Sequence, residues 1–191
     1  ADETLRMSRL VEDLLSLSRV ESEERMRPIT KVELRGLVQS CIVSFATSTQ
    51  VKNITMTLLG DAGSEYFVQG DQDQLRQVCN NLLENAIKYG GADGRIKLDI
   101  KTVDHDTLLR LPSICLSIRD TGAGIEQHHI PRLTERFYRV DSHRSRSVGG
   151  TGLGLAIVKH IVNRHRGRLA IKSGPGQGTE FLVFLPSLPP S

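Results

Sequence analysis

The chain has 191 residues, of which 38% are hydrophobic and 25% are charged, an ordinary composition for a soluble globular protein of one large or two small domains. A net charge of +3 and an aromatic content of 4% argue against a nucleic-acid-binding surface. The three cysteines lie far apart and no apolar run reaches about 20 residues, so we expect a cytoplasmic domain with reduced thiols that neither spans a membrane nor is exported.

The first predicted element is an amphipathic helix over residues 2–24, because Met7, Leu10, Leu14 and Leu17 follow a 3, 4, 3 spacing. This stripe is typical of a coiled-coil or bundle seam, and equally of a helix that packs on its own domain. The charged run 21–27 has no apolar periodicity and ends at Pro28, which predicts a linker.

Helices and strands are mixed along the rest of the chain, and the late strands follow one another directly. This order favours an α+β sandwich over a doubly wound parallel sheet. We expect residues 187–191 to be a frayed tail. The sequence predicts strands over 29–32, 54–59, 66–69, 95–103, 113–119, 167–172 and 179–185, and helices over 34–49, 71–89 and 151–166.

The helix predicted over 71–89 has two faces. Asp71 is a candidate N-cap, and Gly90 follows the helix. Beside the apolar stripe, two carboxamides one turn apart and an ammonium group one turn further on could hold a hydrated hard cation with its phosphates, or could simply be solvated. The stripe comprises Leu75, Val78, Cys79, Leu82, Leu83 and Ala86, and the polar flank Asn81, Asn85, Lys88 and Tyr89.

Two glycine-rich turns and a basic segment complete the candidate site. In the turn 120–125, DTGAGI, Asp120 could accept a hydrogen bond from an exocyclic amine, although such a turn is often only structural. The loop 149–154, GGTGLG, opens a helix and could offer backbone N–H groups to an anion, but it matches neither a Walker A loop nor a Rossmann fingerprint. The basic segment 135–148 between them could close over phosphates or be a solvated loop.

In chain order, N-x-x-x-N-A-x-K-Y, D-x-G-x-G-I, E-R-F-Y-R and G-G-T-G-L-G-L resemble the N, G1, F and G2 boxes of two-component sensor histidine kinases. The closing G-x-G-T-x-F at residues 176–181 matches as well. The resemblance implies that 28–186 is an ATP-binding catalytic domain of the GHKL (Bergerat) fold, a two-layer sandwich with helices on one face of a mixed sheet. It implies that 1–27 is the second helix of the dimerisation and phosphoacceptor hairpin plus a linker. The stretch RLVEDLLSLSRVE resembles phosphate-starvation sensor kinases.

The resemblance also implies roles by position. Asn85 would ligate Mg²⁺ beside the triphosphate, Asp120 would accept from the adenine amino group, and Phe137 would anchor the lid. Four residues would act in phosphoryl transfer: Asn81, Lys88, Arg139 and Arg144. The expected nucleotide-binding residues are Asn81, Asn85, Lys88, Tyr89, Asp120, Gly122, Gly124, Ile125, Phe137, Arg139, Gly150, Thr151, Gly152, Leu153, Gly154, Leu155 and Thr179.

The sequence departs from the family pattern in three respects. No histidine is followed by the acidic residue and proline of the family's phosphoacceptor box, so we expect no autophosphorylation of this chain. The γ-phosphoryl group would pass from Mg-ATP to a histidine on the absent hairpin helix, and then to a response regulator. Thr134 stands where the family usually has an apolar residue. The 2–24 helix lacks its hairpin partner, so we expect the homodimer of the whole membrane-anchored kinase to need segments outside this chain.

Related ATPases offer an alternative. The gyrase, Hsp90 and MutL types resemble this domain, but they carry a glutamate one turn before the metal-binding asparagine to activate water. Asn81 occupies that position here. A site without a base for water suits transfer to an imported nucleophile, but a GHKL-type ATPase and a non-catalytic nucleotide-sensing module remain alternatives.

Overall fold

The computed structural model describes residues 2–23, 26–61, 63–140 and 150–188. The elements in chain order are α1 (Asp2–Glu23), β1 (Thr30–Glu33), α2 (Leu34–Ser44), α3 (Ala46–Val51), β2 (Thr55–Leu58), β3 (Phe67–Gly70), α4 (Gln72–Tyr89), β4 (Arg95–Asp106), β5 (Leu111–Asp120), a 3-10 helix (Gln127–Arg132), α5 (Gly154–Arg164), β6 (Arg168–Ser173) and β7 (Thr179–Pro186).

The main sheet has five strands in the order β2-β4-β5-β7-β6. Strand β2 is parallel to β4, whereas the other neighbours are antiparallel. A separate antiparallel pair is formed by β1 and β3. The mixed sheet and the helices confirm the predicted α+β class.

Buried side chains form rows across one face of the main sheet. In one row Leu98 is opposite Ile118, which is opposite Phe181 on β7. All three are buried, whereas the alternate residues of β4, such as Lys97, are exposed. Because neighbouring residues of a strand point to opposite faces, one face of the sheet forms the core. Helices α4 and α5 pack over this face, and every residue of the predicted apolar stripe of α4 is buried.

Helix α4 has the predicted start. The Asp71 carboxylate accepts hydrogen bonds from the N–H groups of Asp73 and Gln74, at 3.0 and 3.1 Å. These N–H groups have no partner within the helix, so the side chain satisfies them. The predicted N-cap is therefore confirmed, and it fixes where the functional flank of the helix begins.

Two predicted helices have different bounds. The helix predicted over 34–49 divides at Phe45, whose N–H bonds to Ile42 in a tighter turn than an α-helix has. The helix predicted over 151–166 begins only at Gly154, because the preceding residues form a loop. The 3-10 helix Gln127–Arg132 has no counterpart in the prediction.

The two ends of the chain also differ from the prediction. Residues 21–23 of the predicted linker continue α1. At the other end, the predicted frayed tail is wrong for its first two residues. The N–H of Ser187 donates to the Pro112 carbonyl, and that of Leu188 donates to the Phe67 carbonyl, so the tail joins β3 to β5.

Helix α1 packs on its own domain. Leu17 and Val20 are buried and Leu10 partly so, and the helix contacts α5. Met7 and Leu14, the other members of the predicted stripe, are exposed. Of the two interpretations of the stripe, the structure therefore shows that the C-terminal part of α1 packs on the rest of its own domain. Among the described residues, no helix combines the length and the apolar character that crossing a membrane requires.

Candidate functional site

The predicted site residues gather around the C-terminal half of α4. The Asn81 side chain donates from Nδ2 to the carbonyl of Gly154, the first residue of α5, at 3.2 Å. Two turns further on, Lys88 Nζ lies so close to Gly150 that a methyl group at that glycine would be 3.4 Å away. The polar flank of α4 therefore faces the glycine-rich loop, as its position beside the apolar stripe indicates.

Asp120, the last residue of β5, lies beside the C-terminal turn of α4. The residue is 3% exposed. Oδ1 accepts hydrogen bonds from the N–H groups of Gly122, at 2.8 Å, and Thr179, at 3.2 Å. Oδ2 receives no hydrogen bond from the described part of the chain, and burial raises the pKa of the carboxyl group. A ligand that donates a hydrogen bond to this group would offset its lost hydration.

The turn after Asp120 is packed too tightly for side chains. A methyl group at Gly122 would lie 2.1 Å from the carbonyl oxygen of Tyr89, in the last turn of α4. Gly124 has a positive φ of 73°, and a methyl group there would lie 1.8 Å from the Gly174 carbonyl oxygen. Only glycine fits such close approaches. Gly122 thereby holds this turn against α4, and Gly124 holds it against the residues that join β6 to β7.

Ser173, which is not among the predicted site residues, supports the turn after Asp120. Its hydroxyl oxygen accepts from the Ile125 N–H at 2.8 Å and lies 2.9 Å from Thr179 Oγ1. It joins the turn 120–125 to the β6–β7 hairpin. No sequence signal indicates this role, because it depends on the register that places Ser173 opposite Thr179.

The segment before the glycine-rich loop is bound to that loop. Arg139 Nη1 donates to the Gly150 carbonyl at 2.7 Å, and the Phe137 N–H donates to the Gly152 carbonyl at 2.9 Å. Phe137 is 56% exposed, so the contact that the structure shows with the loop is made by its backbone. Its role as an anchor of the lid stays a prediction. Arg144, predicted to act in phosphoryl transfer, lies outside the described residues.

Lys88 is half-buried beside several charges. Burial lowers the pKa of its ammonium group, because the charged form loses hydration. Arg139 and Arg9 also lower this pKa, whereas Glu84 and Asp13 raise it. Asp13 belongs to α1, and its Oδ2 accepts a 2.5 Å hydrogen bond from the Thr151 hydroxyl. No sequence pattern predicts this contact, because it joins residues 138 positions apart.

The remaining predicted residues occupy the same region. Asn85 is half-buried one turn after Asn81, and Tyr89 is half-exposed at the end of α4. Leu153 is fully buried, and Leu155 packs against the core. We therefore expect Leu153 to reach a ligand only through its backbone.

The arrangement has two parts joined by α4. One part, around Asp120, offers a buried acceptor beside tightly packed backbone. The other, around Lys88, Arg139 and the loop before α5, offers cationic groups and backbone amides. A ligand with a flat amine-bearing ring at one end and an anion at the other fits both parts.

Comparisons with known proteins agree with this chemistry. Residues 70–189 match the family model described as histidine kinase-, DNA gyrase B-, and HSP90-like ATPase. The phosphate regulon sensor protein PhoR of Pseudomonas aeruginosa is 39% identical over 92% of this chain and 38% of its own length. The sensor protein kinase WalK of Staphylococcus aureus is 37% identical over 97% of this chain and 29% of its own length. The chain thus spans less than two fifths of either relative.

Solved structures are also similar. Full-length ShkA in complex with AMPPNP has a TM-score of 0.80 at 25% identity, over 95% of this chain and 36% of that one. The mycobacterial sensor histidine kinase MprB has a TM-score of 0.68 at 27% identity, over 84% of this chain and 100% of that one.

Proposed function

The chain belongs to the histidine kinase-, DNA gyrase B- and HSP90-like ATPase family, and from that membership we propose that it is the ATP-binding catalytic domain of a sensor histidine kinase. It would transfer the γ-phosphoryl group of Mg-ATP to a histidine on the phosphoacceptor hairpin, for relay to a response regulator. The observation that carries this proposal is that the last turn of α4 has the buried Asp120 carboxylate beside it and carries Lys88, which lies close to Gly150 of the glycine-rich loop.

Asp120 would bind the adenine. Its Oδ2 can accept from the exocyclic amine while Oδ1 stays bound to the backbone of Gly122 and Thr179. The backbone of the turn 120–125 would lie against the ring, since the glycines leave no side chain in the way.

Lys88, Arg139 and the backbone of residues 150–154 would bind the phosphates. Phosphoryl transfer needs mainly positioning and charge neutralisation, and these groups supply both. Asn85 fits Mg²⁺, because a carboxamide oxygen is a hard donor and this cation shares its shell between few protein ligands, water and phosphates. The bound cation would neutralise charge on the phosphates.

Transfer to histidine fits better than hydrolysis. The residue one turn before Asn85 is Asn81, whose carboxamide cannot take a proton from water and already donates to Gly154. Glu84 is exposed and lies about 100° around the helix from Asn85. The nucleophile would therefore come from outside the chain, as a histidine imidazole.

The proposed role also predicts which segments would bind to α1. The exposed apolar side chains Leu5, Val11 and Leu15 of α1 suit packing against the first hairpin helix and a second copy of the kinase. The similarity to PhoR supports a phosphate-sensing subfamily, with attachment to the inner membrane through segments outside this chain.

A phosphorylation assay in trans tests the proposal. Mixed with a separate hairpin that carries the phosphoacceptor histidine, the chain should transfer label from Mg-[γ-³²P]ATP to that hairpin. Asn85→Ala should abolish the transfer and Mg-ATP binding by calorimetry, while its melting temperature stays close to that of the wild type.

The control is Asn163→Ala, which removes an exposed carboxamide from α5 and should leave transfer unchanged. Unchanged Mg-ATP affinity in Asn85→Ala would remove that residue from the site. Steady ATP turnover without a hairpin would instead support the ATPase alternative, and nucleotide binding without either reaction would support a sensing module.

A further inference from the structure

Helix α1 brings an anionic side chain to the loop that precedes α5. Asp13 is half-buried, and its carboxylate accepts the hydrogen bond from the Thr151 hydroxyl at 2.5 Å. The same carboxylate acts on the ammonium group of Lys88, whose pKa it raises. Asp13 thus contacts one residue of the proposed phosphate site and interacts electrostatically with another.

Other contacts hold α1 in this position. Glu21 pairs with Arg136, which lies in the segment before the glycine-rich loop, and with His160 of α5 at 3.2 Å. Ser16 accepts from Gln77 of α4 at 2.7 Å. Leu17, on the same helix, is buried in the core. The position of Asp13 is therefore set by packing and hydrogen bonds along the helix.

We propose that Asp13 determines nucleotide specificity: its carboxylate competes with the terminal phosphate of ATP for Thr151 and Lys88. The inference rests on the proposed function, because it takes these two residues as part of the phosphate site. It adds a residue of α1 to that site. When α1 is docked, that is, when Asp13 contacts Thr151, the affinity of the site for a triphosphate is lowered.

The competition is electrostatic. The Asp13 carboxylate, hydrogen-bonded to Thr151, repels a phosphate that approaches Lys88. Salt screens this repulsion poorly, because the charges are half-buried. ATP places one more phosphate at this end of the site than ADP does. Docked α1 therefore weakens ATP binding more than ADP binding, and by reciprocity ATP favours release of Asp13 from Thr151.

The test compares Asp13→Asn with Glu12→Gln in the 191-residue chain. Both substitutions remove one negative charge from the same turn of α1, but Glu12 is exposed and makes no contact with Thr151. An asparagine at position 13 can still accept from the Thr151 hydroxyl, so the variant removes the charge and keeps the hydrogen bond.

Dissociation constants for Mg-ATP and ADP are measured by calorimetry. We expect Asp13→Asn to bind Mg-ATP about tenfold more tightly and ADP less than about threefold more tightly, the difference being the repulsion of the extra phosphate. Glu12→Gln should leave both constants unchanged. In the wild type, hydrogen exchange of the α1 amides should be faster with Mg-ATP than with ADP.

An unchanged ratio of ATP to ADP affinity in Asp13→Asn would overturn the inference, as would an equal effect of Glu12→Gln or equal α1 exchange with both nucleotides. If wild type and variant fail to bind even ADP, the proposed function itself fails. ADP binding therefore separates the two failures.

Discussion

At the scale of single residues, the site depends on two ionisable groups that have lost hydration. Burial raises the pKa of Asp120 and lowers that of Lys88, so in both cases it disfavours the charged form. Hydrogen bonds from the backbone N–H groups of Gly122 and Thr179 partly replace the lost hydration of the Asp120 carboxylate. A ligand that donates a hydrogen bond to Asp120 and places an anion beside Lys88 would compensate for the remaining loss of hydration.

Asp120→Asn should weaken ADP and Mg-ATP binding alike, since both nucleotides carry the adenine. Replacing a charged acceptor by a neutral amide should lower both affinities about 10- to 100-fold, the usual range for a hydrogen bond to a charged group. Calorimetric titration with each nucleotide measures the effect. Asp104→Asn, at an exposed position of β4, is the matched control and should bind normally. A loss confined to ATP would contradict the adenine role.

At the scale of elements, His165 joins the start of α4 to the end of α5. Its Nε2 accepts from the Asp71 N–H at 3.0 Å, and Nδ1 donates to the Ile161 carbonyl at 2.7 Å. The ring is fully buried and must therefore be neutral to keep both bonds. Gly70 lies against it, and a methyl group there would be 3.0 Å from the ring.

This contact predicts a pH dependence of stability. Burial lowers the pKa of His165 in the folded state, below about 6.5 for an unfolded chain. Above about pH 6.5, His165 is neutral in both states and contributes fully to the free energy of unfolding. Below that pH the unfolded state takes up a proton before the folded state does. The free energy of unfolding therefore falls until the pH reaches the folded-state pKa. Urea denaturation between pH 7.5 and 5.5 should show this decrease.

The control is His105→Gln, which removes an exposed histidine and should leave the pH profile unchanged. Titration of the His165 ring by NMR identifies the group responsible. A ring that titrates at or above about 6.5 would show that burial does not govern this histidine.

At the scale of the whole molecule, the C-terminal end of α1 is bound to the rest of the domain. Arg164 is buried and donates from Nε to the carbonyls of Glu23 and Met26, both at 3.1 Å. Its Nη2 pairs with the Glu23 carboxylate at 3.2 Å. The N-terminal part of α1 is exposed, so the helix combines a fixed end with an apolar surface open to a partner.

Leu17→Ala should lower the free energy of unfolding by about 2 kcal/mol or more, because it removes a large side chain from the contact between α1 and the domain. Leu15→Ala is the matched control: Leu15 is 66% exposed and Leu17 is 2% exposed. The control should change the free energy by about 0.5 kcal/mol or less. Urea denaturation measures both. Equal effects would mean that α1 does not pack on the domain in solution.

The sequence by itself determined the features that depend on neighbours along the chain. The two faces of α4, its cap at Asp71 and the order of the glycine-rich turns follow from helical periodicity and backbone conformation. The α+β class followed from the order of strands and helices. The roles of the site residues in nucleotide binding stay predictions.

Tertiary structure decided what depends on contacts between distant residues. The position of Asp13 at Thr151, the support from Ser173 and the pairing of Ser187 with β3 all follow from packing and register. A pattern such as the α1 stripe states only that one side is apolar, and many surfaces could cover it. Which surface does so depends on the shape and charge of the assembled domain, and no local stretch of sequence contains that information.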